Sequence, residues 1–106
     1  MSTERIEELR REIDALDTQL LALLSRRAAC ALEVGQIKDA RGEAIYQPAR
    51  EALILARVVT ANPGPLDGAA IRRVFERIID EARRLERQAG RHDPGPGGSP
   101  GTVEST

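Results

Sequence analysis

From Ile6 the chain carries an apolar stripe, Leu9, Ile13, Leu16, Leu20 and Leu23, in alternating steps of three and four residues. That rhythm is one face of an α-helix, since the apolar positions of a half-buried strand repeat every two. The next place in the stripe is Arg27, after which Cys30, Val34 and Ile37 resume it. So long a stripe must lie against another helix, and an arginine in that seam must meet an anion. A guanidinium keeps its proton and is costly to desolvate unpaired. Lys38 follows eleven residues on, which places it within about 20° of Arg27 and about 16 Å along an ideal helix axis. Two long cationic side chains reaching into one gap could hold a small dianion. The alternative is a structural ion pair between Arg27 and a glutamate of a neighbouring helix.

The rest of the composition supports helices throughout. Among 106 residues there is one Phe and one Tyr, and the long runs are rich in Ala, Leu, Glu and Arg. A chain this small, with so few aromatic side chains, buries a modest core, so oligomerisation is the expected source of further burial. The 16 basic and 17 acidic residues leave no net field for nucleic acid, and no apolar run is long enough to span a membrane. The N-terminal Met-Ser-Thr-Glu-Arg has neither the basic nor the apolar region of a signal peptide, so a cytoplasmic protein is expected. Cys30 falls on the stripe and reads as a core thiol.

Three helices can be placed. The first has Ser2 or Thr3 as N-cap and acids at Glu4, Glu7 and Glu8 that suit the helix dipole, and it runs to about Asp39 with Gly42 as its stop. Roughly 35 residues at 1.5 Å each give about 50 Å, longer than a compact domain of this size, so part of this helix is expected to find its partner in a second chain. The second helix opens at Gln47-Pro48 and stops at Asn62-Pro63-Gly64-Pro65. The third is capped by Asp67, carries Ile71, Val74, Phe75, Ile78, Ile79, Ala82 and Leu85, and ends near Gly90. Arg91 to Thr106, dense in Gly, Pro and Ser, is expected to stay unfolded. The chain thus divides into a helical domain over residues 1–90 and a tail over 91–106, in which His92 is expected to be solvated.

Several charged residues are not explained by helix formation. Arg50 sits in the first turn of the second helix, where the dipole disfavours a cation, beside Glu51, which the dipole tolerates. A solvated surface pair is the simpler reading of those two. Glu86 faces the same way as Ala82 and lies beside Ile79 and Leu85, an apolar setting that raises a carboxyl pKa. Pairing with one of the neighbouring arginines is the alternative there.

Taken in order, Leu9-Arg10-Arg11-Glu12-Ile13-Asp14, Ser25-Arg26-Arg27, Glu33-Val34-Gly35-Gln36-Ile37-Lys38, Tyr46-Gln47-Pro48-Ala49-Arg50-Glu51 and Ile78-Ile79-Asp80-Glu81-Ala82-Arg83-Arg84-Leu85-Glu86 resemble the all-helical AroQ-type chorismate mutases. The likeness covers Ile6 to about Arg87. It implies an all-α fold of three helices in an intertwined homodimer, with paired first helices and two active sites. Roles carry over to Arg10, Arg27, Lys38, Arg50, Glu51 and Glu86. Arg10 and Arg27 lie about 25 Å apart along an ideal helix, too far to hold one ten-carbon ligand within a chain. The equivalent arginine in the family serves the partner's site, and Arg10 is expected to do the same.

The reaction so implied, chorismate to prephenate, is a unimolecular Claisen rearrangement that requires no nucleophile, metal or cofactor. The protein has to hold a flexible dianion in a compact conformer and stabilise charge as the ether C–O bond breaks. By resemblance Arg10 of the other subunit, Arg27 and Arg50 hold the substrate carboxylates and ring. Lys38 also donates to the ether oxygen, Glu51 accepts from the ring hydroxyl, and a protonated Glu86 is the second donor to the ether oxygen. Two positions depart from the pattern. Gln47 stands where many relatives have aspartate, a better N-cap, so contact with the ring hydroxyl is expected to differ. Ala82 stands where some relatives have serine, and losing one neutral hydrogen bond costs about 1 kcal/mol. Isochorismate-pyruvate lyase and 4-amino-4-deoxychorismate mutase share the scaffold and most of the charges. Glu51 favours the hydroxyl substrate among these. A non-catalytic helical dimerisation module is the reading from another class. An activating aldolase partner is left open.

Overall fold

The computed structural model describes residues 2–91; of the expected tail over 91–106, Arg91 is helical and the rest, from His92 onward, lies outside the described residues. It contains three helices, α1 (Ser2–Ala40), α2 (Pro48–Ala61) and α3 (Gly68–Arg91), and no strand among the described residues. None of the helices is long and apolar enough to cross a membrane. The chain divides into two units within α1, the first ending at Cys30 and the second beginning at Ala31.

The first unit is the N-terminal stretch of α1. The helix already includes Ser2, so neither Ser2 nor Thr3 acts as the expected cap; Glu4 in the first turn provides dipole support instead. Its polar surface is tied by one-turn ion pairs, Arg5 to Glu8 at 3.1 Å and Arg10 to Glu7 at 3.4 Å. Pairs this exposed contribute a few tenths of a kcal/mol at most. The apolar stripe stays open, from Leu9 at 40% exposed to Leu23 at 57%. Cys30 is exposed as well, which corrects its reading as a core thiol. Its place on the stripe follows the helical repeat, but among the described residues the stripe is open at that point.

The second unit holds the core. α1 ends in a Schellman turn: Gly42 takes φ 72°, its N–H donates to the Asp39 carbonyl at 3.1 Å, and the Glu43 N–H donates to the Lys38 carbonyl at 2.8 Å. The left-handed conformation explains why glycine stands there. α2 starts on Pro48, whose missing N–H costs nothing in a first turn. It ends at Asn62, held extended by the following proline, with the Asn62 Nδ2 donating to the Leu66 carbonyl at 2.6 Å and its Oδ1 accepting from the Gly64 N–H at 3.1 Å. Asp67 then caps α3, its Oδ1 accepting from the Ala70 N–H at 2.7 Å. α2 and α3 pack through Ile54, Leu55 and Ile79, with Val58 and Phe75 beside them. Each side chain so buried contributes about 2 kcal/mol. That packing fixes the first turn of α2 opposite the middle of α3, where the charged residues of interest lie.

Candidate active site

Three elements of the second unit supply functional side chains. The last turn of α1 supplies Lys38, which is largely shielded, its Nζ 3.4 Å from Glu43 Oε1. The Schellman turn makes this pairing, because the same reversal that bonds the Glu43 N–H to the Lys38 carbonyl places the two side chains together. Glu43 is also held by Arg41 Nη2 at 2.7 Å. A single contact of 3.4 Å leaves most of the lysine's donor capacity unspent. Glu43 was not singled out from sequence; the signal was Gly42, four residues after Lys38, which folds the chain back so that Glu43 meets the lysine.

The first turn of α2 supplies Gln47, Arg50 and Glu51. Gln47 occupies the N-cap position without a side-chain hydrogen bond to the helix, so its half-buried amide is free for other partners. Arg50 is exposed and Glu51 half-buried. Glu51 does not form a surface pair with Arg50. Arg83, on α3, places one terminal nitrogen, Nη2, 2.8 Å from Oε1 and 3.0 Å from Oε2 of Glu51. Its Cζ lies 4.8 Å from the centre of the Tyr46 ring, in cation–π range, and Nη2 is also 3.3 Å from the exposed Asp80 Oδ1. The Nε–H of Arg83 is buried without a hydrogen-bond partner among the described residues. Sequence reasoning noted Arg83 only as a neighbour of Glu86. The two members of this pair are 32 residues apart, and no periodicity within either helix links them.

One turn after Arg83 comes Glu86, half-buried. Its stem lies against the backbone of α1 at Gly35, where a Cβ would sit 3.1 Å from Glu86 Cγ. Leu32, Gly35 and Gln36 of α1, Ile45, and Glu86 and Ala89 of α3 line one groove. Burial pushes the Glu86 carboxyl above its ordinary value; the Arg83 cation works against this and the Glu51 carboxylate adds to it. Arg83 is committed to Glu51 and Asp80, so it does not neutralise Glu86 by direct pairing. Ala82, half-buried on the preceding turn, offers only a methyl. The unit therefore combines a carboxyl biased toward its proton-donating form, a lysine with spare donors and an anchored carboxylate acceptor.

Arg10 and Arg27 belong to the first unit. Arg10 is exposed, with Glu7 as its partner within the chain, and Arg27 is half-buried.

The residues matched by the family model described as chorismate mutase type II are 9–87. The bifunctional chorismate mutase/prephenate dehydratase of Pseudomonas aeruginosa is 40% identical over 88 residues, covering 78% of this chain and 24% of that protein. The T-protein of Haemophilus influenzae is 35% identical over 88 residues, covering 82% of this chain and 23% of its own length. The chain thus spans about a quarter of the length of these curated relatives. A solved chorismate mutase of Thermus thermophilus superposes with a TM-score of 0.77 at 36% identity, covering 78% of this chain and 94% of that one.

Proposed function

We propose that this chain, which belongs to the chorismate mutase type II family, converts chorismate to prephenate. The observation that carries the reading is the disposition of Glu86. It is a carboxyl held partly out of water against Gly35, biased toward its neutral form, on the helix that also anchors Glu51 through Arg83.

In the rearrangement the ether C–O bond breaks while a C–C bond forms between the enolpyruvyl methylene and the ring. No proton is gained or lost overall. What changes is charge, which builds on the ether oxygen, and donors aimed at that oxygen lower the barrier because they act more strongly there than on the ground state. Lys38 and protonated Glu86 are assigned to this oxygen. Arg27 and Arg50 hold the two carboxylates, and the carboxylate of Glu51 accepts from the ring hydroxyl, with Gln47 and Ala82 lining the substrate. Binding a dianion beside Glu86 favours its proton further, since a second negative charge disfavours ionisation.

Arg10 is assigned to the site of a second copy of the chain, and the assembly is a homodimer through the first helices. Supporting this is the open stripe along the first unit, with Ile13, Leu16, Leu20 and Leu23 all at least half exposed. A run of apolar residues at helical spacing is a helix-pairing surface.

The test is direct. Purified protein added to chorismate should abolish its absorbance with prephenate as the product, and Lys38→Ala should slow turnover at least a hundredfold, in the range typical of losing a donor to a developing oxyanion. Release of pyruvate in place of prephenate would instead assign the lyase reaction.

A further inference from the structure

The ion pair between Glu51 and Arg83 poses a question that helix stability does not answer. Its members are 22% and 27% exposed, and removing two charges this far from water offsets most of their attraction. The Arg83 Nε–H, buried without a partner among the described residues, adds a further cost. A pair of packed aliphatic side chains would bind α2 to α3 as well. What the pair supplies is position and charge. Nη2 straddles both oxygens of Glu51, the face of Tyr46 covers the guanidinium, and Asp80 contacts the same nitrogen from the solvent side. Each oxygen of Glu51 accepts one bond from Arg83 and keeps a lone pair for another donor.

The consequence concerns what Glu51 can accept. A free carboxylate attracts a cation far more than a neutral hydroxyl. A carboxylate already matched by a guanidinium has little net charge to offer, so a neutral donor of the right geometry serves it nearly as well as a charged one, without the cost of stripping water from a cation. We infer that Arg83 sets the substrate preference of this site: it fixes and neutralises Glu51 so that the site takes a hydroxyl at the substrate's ring position and discriminates against a protonated amine there. Arg83 is thus a positioning and specificity-determining residue that acts through Glu51. The inference rests on the chorismate mutase reading and deepens it.

Removing the cation has a calculable direction. With Arg83→Gln the Glu51 carboxylate stands uncompensated next to Glu86, whose carboxyl already senses it. The local field turns negative, and an ammonium becomes the better occupant. Arg83→Lys retains the charge and should retain the preference.

The experiment measures kcat/KM for chorismate and for 4-amino-4-deoxychorismate at neutral pH. Wild type, Arg83→Gln, Arg83→Lys, Glu51→Gln and the Glu51→Gln/Arg83→Gln double variant are compared, with melting temperatures as a check on folding. Wild type should prefer chorismate. Arg83→Gln should move the ratio of the two constants toward the amine by about tenfold, the size of one partly shielded charge interaction, and Arg83→Lys by less than about twofold. The double variant should show the same ratio as Glu51→Gln alone, because the effect of Arg83 on Glu86 reaches the ether oxygen, which both substrates share, and cancels in the ratio. That comparison still decides the matter if Arg83→Gln leaves Glu51 orphaned and fails to fold. An unchanged ratio in Arg83→Gln, or a shift between Glu51→Gln and the double variant, overturns the role of Arg83 while leaving the mutase reading intact. Wild-type protein that turns over neither substrate overturns the mutase reading itself.

Discussion

At the scale of single residues, Glu86 is the group whose chemistry depends most on its surroundings. Its pKa lies above the ordinary carboxylate value chiefly because of burial, with Arg83 pulling it down and Glu51 pushing it up. Only the protonated form donates to an ether oxygen, so the acid's contribution is present below the pKa in the complex and is lost as pH rises through it. kcat/KM followed from pH 5 to pH 9 should therefore show an alkaline limb. Glu86→Gln, which carries a permanent amide donor of nearly the same shape, should flatten that limb and keep substantial activity. Glu86→Ala should be poor at every pH. An alkaline limb that survives unchanged in Glu86→Gln would remove Glu86 from the mechanism. The same shift predicts a stability effect. A carboxyl whose folded pKa is raised favours the folded state most at pH values below its unfolded pKa, and that advantage disappears as pH rises through the folded value. Glu86→Gln should accordingly melt higher than wild type at neutral pH, with the gap closing on acidification.

At the scale of helices, the position of Glu86 is set by a glycine in another helix. Gly35 is buried in α1, and an added Cβ there would meet the Glu86 stem at 3.1 and 3.3 Å. Alanine is the better helix former by about 1 kcal/mol, so Gly35→Ala should not destabilise α1. It should displace the Glu86 stem by a few tenths of an ångström, which a donor aligned on a transition state does not tolerate. The expected result is a kcat lowered severalfold at nearly constant KM and unchanged or raised melting temperature. A rise in KM alone would place the effect in ground-state binding instead. Asp67→Ala, by contrast, removes a cap at 2.7 Å far from these residues and should lower stability by about 1 kcal/mol without altering kcat. Four helix boundaries were legible in the sequence because each rests on local chemistry: Gly42 in the left-handed region, Pro48 in a first turn, Asn62 before a proline, Asp67 capping Ala70; the start of α1 was not, since the helix already includes Ser2. The carboxylates were legible as types and faces but not as partners. Neither the pairing of Glu51 with Arg83 nor the bond between Lys38 and Glu43 follows from a repeat of 3.6, since each depends on how the chain folds back. Cys30 shows the converse limit: its place on the stripe follows from the repeat, but the repeat does not say what covers the stripe, and within this chain Cys30 is exposed.

At the scale of the molecule, the open stripe and the two arginines along it make a prediction that separates a shared site from a self-contained one. Arg10 is exposed and, among the described residues, meets Glu7 at 3.4 Å, a single contact that leaves most of its donors for an external anion. If Arg10 completes the partner's site, Arg10→Ala and Lys38→Ala homodimers are each inactive at both sites. A hybrid of the two is different. The site that uses Lys38 of the Arg10→Ala chain receives Arg10 from the Lys38→Ala chain and has neither defect, and the other site has both. Random exchange between equal amounts of the two variants makes about half of the dimers hybrid, each with one intact site, so about a quarter of wild-type activity should return on mixing. The readout is prephenate formation before and after the subunits are unfolded and refolded together, with light scattering to establish that the species is twice the chain mass. If Arg10 instead serves its own chain, each hybrid site carries one defect and the mixture stays inactive. The recovered fraction thus distinguishes a crossed arginine from one that acts in place, independently of how much either substitution costs on its own.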